Sequence, residues 1–167
     1  IVLVAGVCIN MLLTILGAYV ISQRQLMLRK PLTIFIIITM YFSGGMIPAY
    51  LNVRDLGMMD TLLALIMPNA INTSNLLIMR SAFMSVPESL SEAAEIDGAS
   101  HRQILFQVMV PLVKATMAVL VLYYGVAHWN SWFNASIYLR SSDKFPLQLV
   151  LRNILIEGET SDMLSDV

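Results

Sequence analysis

Three carboxylates in the middle of the chain recur at the spacing of one helix face. Glu88, Glu92 and Glu95 are separated by four and three residues, so on a helix they form a single acidic ridge. A slim apolar stripe runs beside this ridge and consists of Leu90, Ala93 and Ala94. Two adjacent alanines let a helix backbone approach a partner closely, and the carboxylates can meet basic side chains at the rim of a groove. The chemistry predicted for this helix is docking in a groove of another protein.

The helix that carries the ridge lies in a polar stretch, residues 87–111, which we call the central polar segment. Ser85 and Glu88 have the spacing of a capping box, and Pro87 falls in the first turn, where its missing N–H costs least. Gly98 is the residue type that ends a helix in the left-handed conformation. The sequence therefore predicts a short helix that begins near Pro87 and ends at Gly98.

A second short helix is predicted directly after Gly98. Ser100 and Gln103 repeat the capping-box spacing, and the helix that they open ends at Pro111. Composition alone leaves two interpretations of this pair of helices open, which are a docking element and a well-capped surface loop.

The composition is that of a membrane protein. Hydrophobic residues make up 57% of the 167 residues and charged residues only 13%, whereas a soluble domain carries about 25% charge. The net charge of −1 gives no basic field that would favour nucleic acid. The single cysteine, Cys8, can form neither an internal disulfide nor a metal site, and we expect it to be a small buried side chain.

Four apolar stretches approach the roughly 20 residues that a helix needs to cross a bilayer. They are residues 1–21, 31–51, 61–79 and 112–133. Arg24, Arg29 and Lys30 fill the short loop after the first stretch, which the positive-inside rule places in the cytoplasm. The same orientation places the central polar segment in the cytoplasm, with Arg80 at the inner end of the third stretch.

Polar side chains at membrane depth recur on one face of two of these stretches. Asn69 and Asn72 share a helical face in the third stretch. Tyr123 and Asn130 lie seven residues apart in the fourth. Such groups need partners or water, so they either hold helices together or line a polar path. Under the second interpretation, the substrate path would include Asn69, Asn72, Tyr123 and Asn130.

Aromatic residues gather near the outer end of the fourth stretch, where His128, Trp129 and Trp132 lie close in sequence. An aromatic belt at the level of the lipid headgroups is the favoured interpretation. A platform on which a sugar ring stacks is the alternative.

The central polar segment resembles a known motif. The tripeptide Glu92–Ala94 is followed after three residues by Gly98, and after nine more by the tetrapeptide Val108–Pro111. This pattern resembles the EAA loop of permease subunits in binding-protein-dependent ABC importers, and Val108 and Val110 depart conservatively from the usual Ile-x-Leu-Pro ending. Other stretches are similar to maltose-permease-like carbohydrate permeases for complex oligosaccharides, with aldouronate-type permeases as nearer relatives: Pro48–Leu51, Ile96–Ser100, Trp129–Asn130 and Phe145–Leu147.

The resemblance implies an all-α membrane protein, a multi-span helical bundle of the type I ABC importer permease kind. Such subunits usually have six membrane helices and lie in the bacterial cytoplasmic membrane. Residues 1–167 are therefore expected to be one transmembrane permease domain, truncated at both ends, with four of six spans visible.

The function that the resemblance implies is that of a membrane-spanning subunit of an ATP-driven sugar or oligosaccharide importer. The implied partners are ATP-hydrolysing subunits, a second permease, an extracytoplasmic sugar-binding protein, the oligosaccharide and the lipid bilayer. ATP and Mg would be bound by the ATPase, because this chain has no Gly-rich phosphate loop of the GxxxxGK[ST] kind. No cofactor, metal or catalytic residue is expected in this chain. The residues expected to couple it to the ATPase are Glu92, Ala93, Ala94, Asp97, Gly98 and Pro111.

Two other functions stay open. Ser43 and His128 lie in different apolar stretches and could pair as the nucleophile and base of an intramembrane protease. The sequence before Ser43 lacks the glycine two residues earlier that such proteases typically have. A non-transporting membrane scaffold would keep the apolar stretches but would not need the full EAA spacing.

Overall fold

The computed structural model describes residues 2–42 and 44–165, with side chains as far as residue 156. Within those residues every regular element is helical. The ten helices are α1 Val2–Ser22, α2 Arg29–Tyr41, α3 Met46–Asp55, α4 Leu63–Ile66, α5 Thr73–Ser85, α6 Glu88–Ile96, α7 His101–Leu112, α8 Lys114–Trp129, α9 Trp132–Tyr138 and α10 Leu147–Ser165. Short 3₁₀ turns occur at Met67–Asn69 and Ser142–Lys144.

One of the described helices, α1, is long and apolar enough to cross a membrane unaided. This agrees with the first predicted span. The number rises to three if α2 with α3, and α7 with α8, each count as a single interrupted span. The four spans expected from sequence are therefore more broken than the apolar pattern indicates.

The second predicted span, residues 31–51, is wrong as a single helix. The helix α2 ends at Tyr41, and α3 starts after Gly45. Gly45 has φ +84° and ψ 179°, a combination that only glycine adopts readily and that no helix contains. An apolar pattern does not show where glycine interrupts the hydrogen bonds of a helix.

The third predicted span, residues 61–79, is also interrupted. After α4 and the turn at Met67–Asn69, Asn72 has extended backbone angles and its Oδ1 accepts a hydrogen bond from the Asn75 N–H at 3.1 Å. Pro68 cannot donate a backbone hydrogen bond, and asparagine is a preferred N-cap, so the helix restarts at Thr73. Because α5 then continues to Ser85, Arg80 lies within a helix and not at its end.

The fourth predicted span, residues 112–133, begins and ends at different residues. The chain turns by 84° at the junction of α7 and α8, and α8 ends at Trp129. Residues 130–131 separate it from the short helix α9. Pro111 lies within the last turn of α7 and does not end that helix.

The described residues form two compact units. The first unit contains residues 2–6, 44–69 and 125–165, and the second contains residues 7–42 and 70–124. In the second unit, α1, α5, α7 and α8 share an apolar core whose most buried side chains include Met79, Phe83, Ile104 and Leu120. In the first unit, a separate core includes Val53, Leu65, Ala135 and Tyr138. That residues 1–167 form one domain stays a prediction.

Asp60 ties two loops of the first unit together. Its Oδ1 accepts hydrogen bonds from the backbone N–H groups of Arg140 and Ser141, both at 3.0 Å. Its Oδ2 accepts from the Ser141 hydroxyl at 2.7 Å and lies 3.1 Å from Lys144 Nζ. These bonds hold the pKa of Asp60 well below its usual range, with the Ser141 hydroxyl as the largest cause. The negative charge of Asp60 is therefore part of the fold of this unit.

Candidate functional site

The first helix of the central polar segment, α6, begins without the predicted capping box. Ser85 is the last residue of α5, and its hydroxyl donates to the Ala82 carbonyl at 2.7 Å. The expectation that Ser85 caps the next helix is wrong, because its hydroxyl is bonded within its own helix. Val86 has extended ψ before Pro87, as steric conflict with a proline ring requires, and α6 starts at Glu88.

The end of α6 has the geometry predicted for Gly98. Gly98 has φ +80°, its N–H donates to the Glu95 carbonyl at 3.0 Å, and the Ala99 N–H donates to the Ala94 carbonyl at 2.9 Å. These two bonds form a Schellman motif. A β-carbon at Gly98 would meet no atom within 4 Å, so glycine is required here by backbone conformation and not by space.

The second helix of the segment, α7, begins as predicted. Gln103 Oε1 accepts from both the N–H and the hydroxyl of Ser100 at 2.8 Å. The middle of α7, Ile104–Met109, is a π-helix, and the Val110 N–H bonds to the Leu105 carbonyl. Pro111 follows and has no N–H with which to continue an α-helical ladder. Ile104, Leu105 and Met109 are buried, so one side of α7 forms part of the core of the second unit.

The acidic ridge faces the loop that follows α1 in this same chain. Glu88, Glu92 and Glu95 all line a cavity of about 90 Å³, which residues 22–25 also line. Arg24 Nη1 lies 2.7 Å from Glu88 Oε2. The three carboxylates share one helix face as predicted, but the basic side chain that pairs with Glu88 is Arg24 of this same chain.

The predicted apolar stripe beside the ridge is divided. Ala94 is half-buried and packs against the core, whereas Leu90 and Ala93 are exposed. Ile96, which the sequence reasoning did not single out, is 86% exposed on the same side of α6 as Ala93. The surface available for a partner consists of Leu90, Ala93 and Ile96, which we call the exposed apolar face of α6. Of the other coupling residues predicted from the motif, Glu92, Asp97, Gly98 and Pro111 are exposed.

The four residues predicted for a substrate path belong to different units. Asn69 and Asn130 lie in the first unit, where Asn130 Nδ2 donates to the Val126 carbonyl at 3.1 Å. Asn72 and Tyr123 lie in the second unit, where Asn72 caps α5 and Tyr123 is 51% exposed. Their role in a path stays a prediction.

Tyr124, next to Tyr123, is a polar residue that the sequence reasoning missed. It is buried, and its hydroxyl lies 2.7 Å from Thr14 Oγ1 and accepts from the Asn72 N–H at 3.2 Å. This network joins α1, the start of α5 and α8 within the second unit. The sequence offers two adjacent tyrosines, and only the rotational position of α8 decides which of them points inward.

The aromatic residues where α8 ends and α9 begins have distinct surroundings. His128 is buried and Trp129 is half-exposed, and both line a cavity of about 370 Å³ together with Asp143, Lys144 and Gln148. His128 packs closely on Gly6, where a β-carbon would lie 2.5 Å from His128 Nε2. The guanidinium of Arg152 lies 4.3 Å from the centre of the Trp132 ring. A cavity with polar groups and a half-exposed indole is compatible with both the belt and the sugar platform.

Three other expectations concern the Ser43–His128 pair, the burial of Cys8 and metal binding. Ser43 lies outside the described residues, so the structure does not describe the proposed Ser43–His128 pair. Cys8 is exposed, which corrects the expectation that it is buried. In an apolar helix such as α1, the sequence pattern does not distinguish side chains that face the protein core from side chains on the outer surface of the helix. Among the residues that the structure describes, no three His, Cys, Asp or Glu side chains are grouped to hold a metal ion.

Comparison with known proteins gives consistent matches over most of the chain. The family described as "Binding-protein-dependent transport system inner membrane component" matches residues 14–156. The polygalacturonan/rhamnogalacturonan transport system permease protein YtcP of Bacillus subtilis (strain 168) is 42% identical over 165 residues, which cover 96% of this chain and 58% of that protein. Protein LplC of the same organism is 42% identical over 153 residues, covering 92% of this chain and 52% of that protein.

A solved structure is similar throughout the chain. It is a bacterial ABC transporter involved in the import of the acidic polysaccharide alginate, with a TM-score of 0.90 and 34% sequence identity. The match covers 98% of this chain and 60% of the matched chain. The chain thus spans a little over half the length of the relatives that it matches.

Proposed function

We propose that this chain is a membrane-spanning subunit of an ATP-driven oligosaccharide importer. The proposal starts from the fact that the chain belongs to the family of binding-protein-dependent transport system inner membrane components. The family membership confirms the resemblance stated from sequence, and the solved alginate transporter confirms the type I permease fold. The observation that carries the proposal is the central polar segment. Its two helices, joined by the Gly98 turn, combine an exposed apolar face with a side built into the core.

The coupling that we propose runs from a partner ATPase into this segment. The exposed apolar face of α6 lies in a groove of the ATPase, and Glu92, Asp97 and Gly98 border the contact. The Schellman motif fixes the angle between α6 and α7. Because Ile104, Leu105 and Met109 of α7 share a core with α5 and α8, a displacement of α6 is passed to the helices that flank the transport path. Ala94 and Pro111 position the segment.

The orientation and partners follow from the same proposal. The central polar segment lies on the cytoplasmic side, together with the basic loop that contains Arg24, Arg29 and Lys30. A second permease completes the path, and an extracytoplasmic binding protein delivers the oligosaccharide. ATP and Mg are bound by the ATPase, so this chain contributes no catalytic residue.

The cargo that we propose is a fragment of an acidic polysaccharide. The name of one relative specifies polygalacturonan and rhamnogalacturonan, and the solved transporter imports alginate, described as an acidic polysaccharide. Uronic-acid oligosaccharides are the class common to these substrates. Asn69, Asn72, Tyr123 and Asn130 remain our proposal for polar groups along the path.

The experiment is uptake into proteoliposomes that contain the full-length protein, its partner permease and their ATPase. Oligogalacturonides and alginate oligosaccharides are compared with neutral malto-oligosaccharides, with the matching binding protein present. We expect ATP-dependent uptake of acidic oligosaccharides. Uptake of neutral sugars alone would contradict the cargo, and failure to take up any oligosaccharide with ATP would contradict the importer itself.

A further inference from the structure

A cavity of about 610 Å³ in the second unit lies between the loop after α1 and the start of α2. Four cationic side chains line it, namely Arg24, Arg29, Lys30 and Arg80, and none of the residues that line it is acidic. Its volume is within the range of ordinary ligand sites. None of the functions discussed above uses this cavity.

Among the described side chains, three of the four cations have no carboxylate partner. Arg24 pairs with Glu88, whereas Arg29 Nη2 donates to the Met84 sulfur at 3.1 Å, and Arg80 Nε donates to the Ile21 carbonyl at 3.3 Å. Within the part of the chain that the structure describes, Arg29, Lys30 and Arg80 form no ion pair. Thioether sulfur is a weak acceptor. Positive charges that line the same cavity repel one another. An anion bound among them would be attracted by each of them and would reduce that repulsion.

The backbone adds to this positive potential. The helix α2 has 13 residues and begins at Arg29, whose N–H donates to the Leu26 carbonyl at 3.1 Å, and Pro31 in the same turn has no N–H, so the contribution here is that of the helix dipole. A helix N-terminus favours a bound anion, and phosphate in particular. The cavity therefore combines arginine and lysine side chains with the positive end of a helix dipole.

The rim of the cavity is apolar. Leu26, Met27 and Ile34 line it, and Met27 is 96% exposed while Ile34 is 57% exposed. A site for a free phosphate gains nothing from such a rim. A ligand with an anionic head and a hydrocarbon body would use both parts, because its phosphate meets the cations while its chains cover the exposed apolar side chains.

We propose that this cavity binds the phosphate headgroup of an anionic phospholipid of the cytoplasmic leaflet. Basic clusters at the cytoplasmic end of membrane helices are sites of this kind. The inference rests on the orientation in the proposed function. Since Arg24 both lines the cavity and pairs with Glu88, the bound lipid lies beside the first residue of α6 and supports the placement of the central polar segment.

The test measures lipid bound to the delipidated full-length protein in detergent by native mass spectrometry. Dioleoylphosphatidylglycerol and dioleoylphosphatidylcholine are titrated against the wild type, Lys30→Gln and the double variant Arg29→Gln/Lys30→Gln. The matched control is Arg102→Gln/Lys114→Gln, which removes two exposed cations away from the cavity. Arg29→Lys keeps the charge and tests whether charge alone is required.

We expect phosphatidylglycerol to bind in preference to phosphatidylcholine. Each cation near a membrane surface contributes about fivefold in affinity, so Lys30→Gln loses about fivefold and the double variant roughly 25-fold. Arg29→Lys and the control pair retain wild-type binding. Equal binding of the two lipids, or an equal loss in the control pair, would overturn the site.

A further arm separates lipid from free phosphate. Excess inorganic phosphate is expected to leave the bound phosphatidylglycerol in place, and complete displacement would overturn the lipid assignment in favour of a small-anion site. Failure of the lipid inference leaves oligosaccharide uptake and ATPase contact intact. If the proposed orientation is wrong, residues 23–30 are labelled from the external side of the membrane, while lipid binding in detergent is unaffected.

Discussion

Arg24 Nη1 lies 2.7 Å from Glu88 Oε2, so the loop after α1 is joined to the first residue of α6. Both side chains are partly exposed, at 66% and 45%. Exposed ion pairs contribute about 0.2–1 kcal/mol. The pair therefore orients the central polar segment without locking it, which is compatible with the coupling role that we propose for the segment.

A double-mutant cycle on this pair should give a small coupling energy. For Arg24→Gln and Glu88→Gln we expect a coupling of roughly 0.5 kcal/mol that falls with added salt. The measurement is thermal unfolding of the detergent-solubilised protein at low and high salt. A coupling above about 2 kcal/mol that does not change with salt would mean that the pair is a rigid structural bond.

Replacement of Gly98 should uncouple ATP hydrolysis from transport. A β-branched side chain at φ +80° opposes the left-handed turn at a cost of about 1–3 kcal/mol, although it meets no neighbouring atom. We expect Gly98→Val to change the angle between α6 and α7, so that uptake falls at least tenfold while the protein still assembles.

Gly57 provides the matched control for that variant. It has φ +67°, the same pair of Schellman hydrogen bonds after α3, and open space around a β-carbon. Gly57→Val should carry a similar backbone cost and leave coupled uptake near the wild-type level. Equal loss of uptake in the two variants would show that the effect at Gly98 is only one of stability.

Removal of the Tyr124 hydroxyl should destabilise the protein. Tyr124→Phe leaves Thr14 and the Asn72 N–H without their buried partner, which costs about 1–3 kcal/mol. The half-exposed neighbour is the control, and Tyr123→Phe should change stability by less than about 0.5 kcal/mol. Thermal unfolding of the two variants makes the comparison, and a larger effect of Tyr123→Phe would be incompatible with the observed orientation of α8.

Asp60 should make the stability of the first unit depend on pH. Hydrogen bonds from the Ser141 hydroxyl and the Arg140 and Ser141 N–H groups, together with Lys144, depress its pKa. A carboxylate with a depressed folded pKa contributes stability above its unfolded pKa of about 3.9, and this contribution is lost as the pH falls below that value. Asp60→Asn should therefore flatten the decrease in melting temperature between pH 5 and the acid limit.

The control for Asp60 is Asp55, an exposed carboxylate that pairs with its neighbour Arg54. Asp55→Asn removes one carboxylate from the same unit without touching the Asp60 hydrogen bonds, so its pH dependence is the reference for Asp60→Asn. If Asp60→Asn and the wild type lose stability in parallel as the pH falls, the hydrogen bonds to Asp60 do not depend on its charge.

The sequence predicts those parts of the fold that depend on local chemistry. Gly98 and the Ser100–Gln103 pair are correct because a left-handed turn and a capping box need particular residues at fixed spacing. The first span is correct because α1 carries no charged residue over a membrane-spanning length. The family pattern around Glu92–Ala94 points to the same fold as the solved alginate transporter.

What the sequence does not predict depends on tertiary packing. Residues 61–79 are long enough for one span although they contain Pro68 and Asn72, and length alone does not show that the helix is interrupted there and restarts at Thr73. Ala93 and Ala94 are equivalent in composition, and only the packing of α6 against the core shows that Ala94 is turned inward. The same limitation applies to Tyr123 and Tyr124.

The most direct measurement of the central claim is crosslinking from Ala93 in native membranes. The exposed Cys8 is first replaced by serine, and a cysteine is introduced by Ala93→Cys or, as a control, by Ala94→Cys at the half-buried neighbour. We expect the first variant to crosslink to an ATPase subunit in a manner that changes with ATP, and the second to crosslink poorly. Complete labelling of the Ala93→Cys thiol from the cytoplasm, with no crosslink to an ATPase, would contradict the proposed coupling.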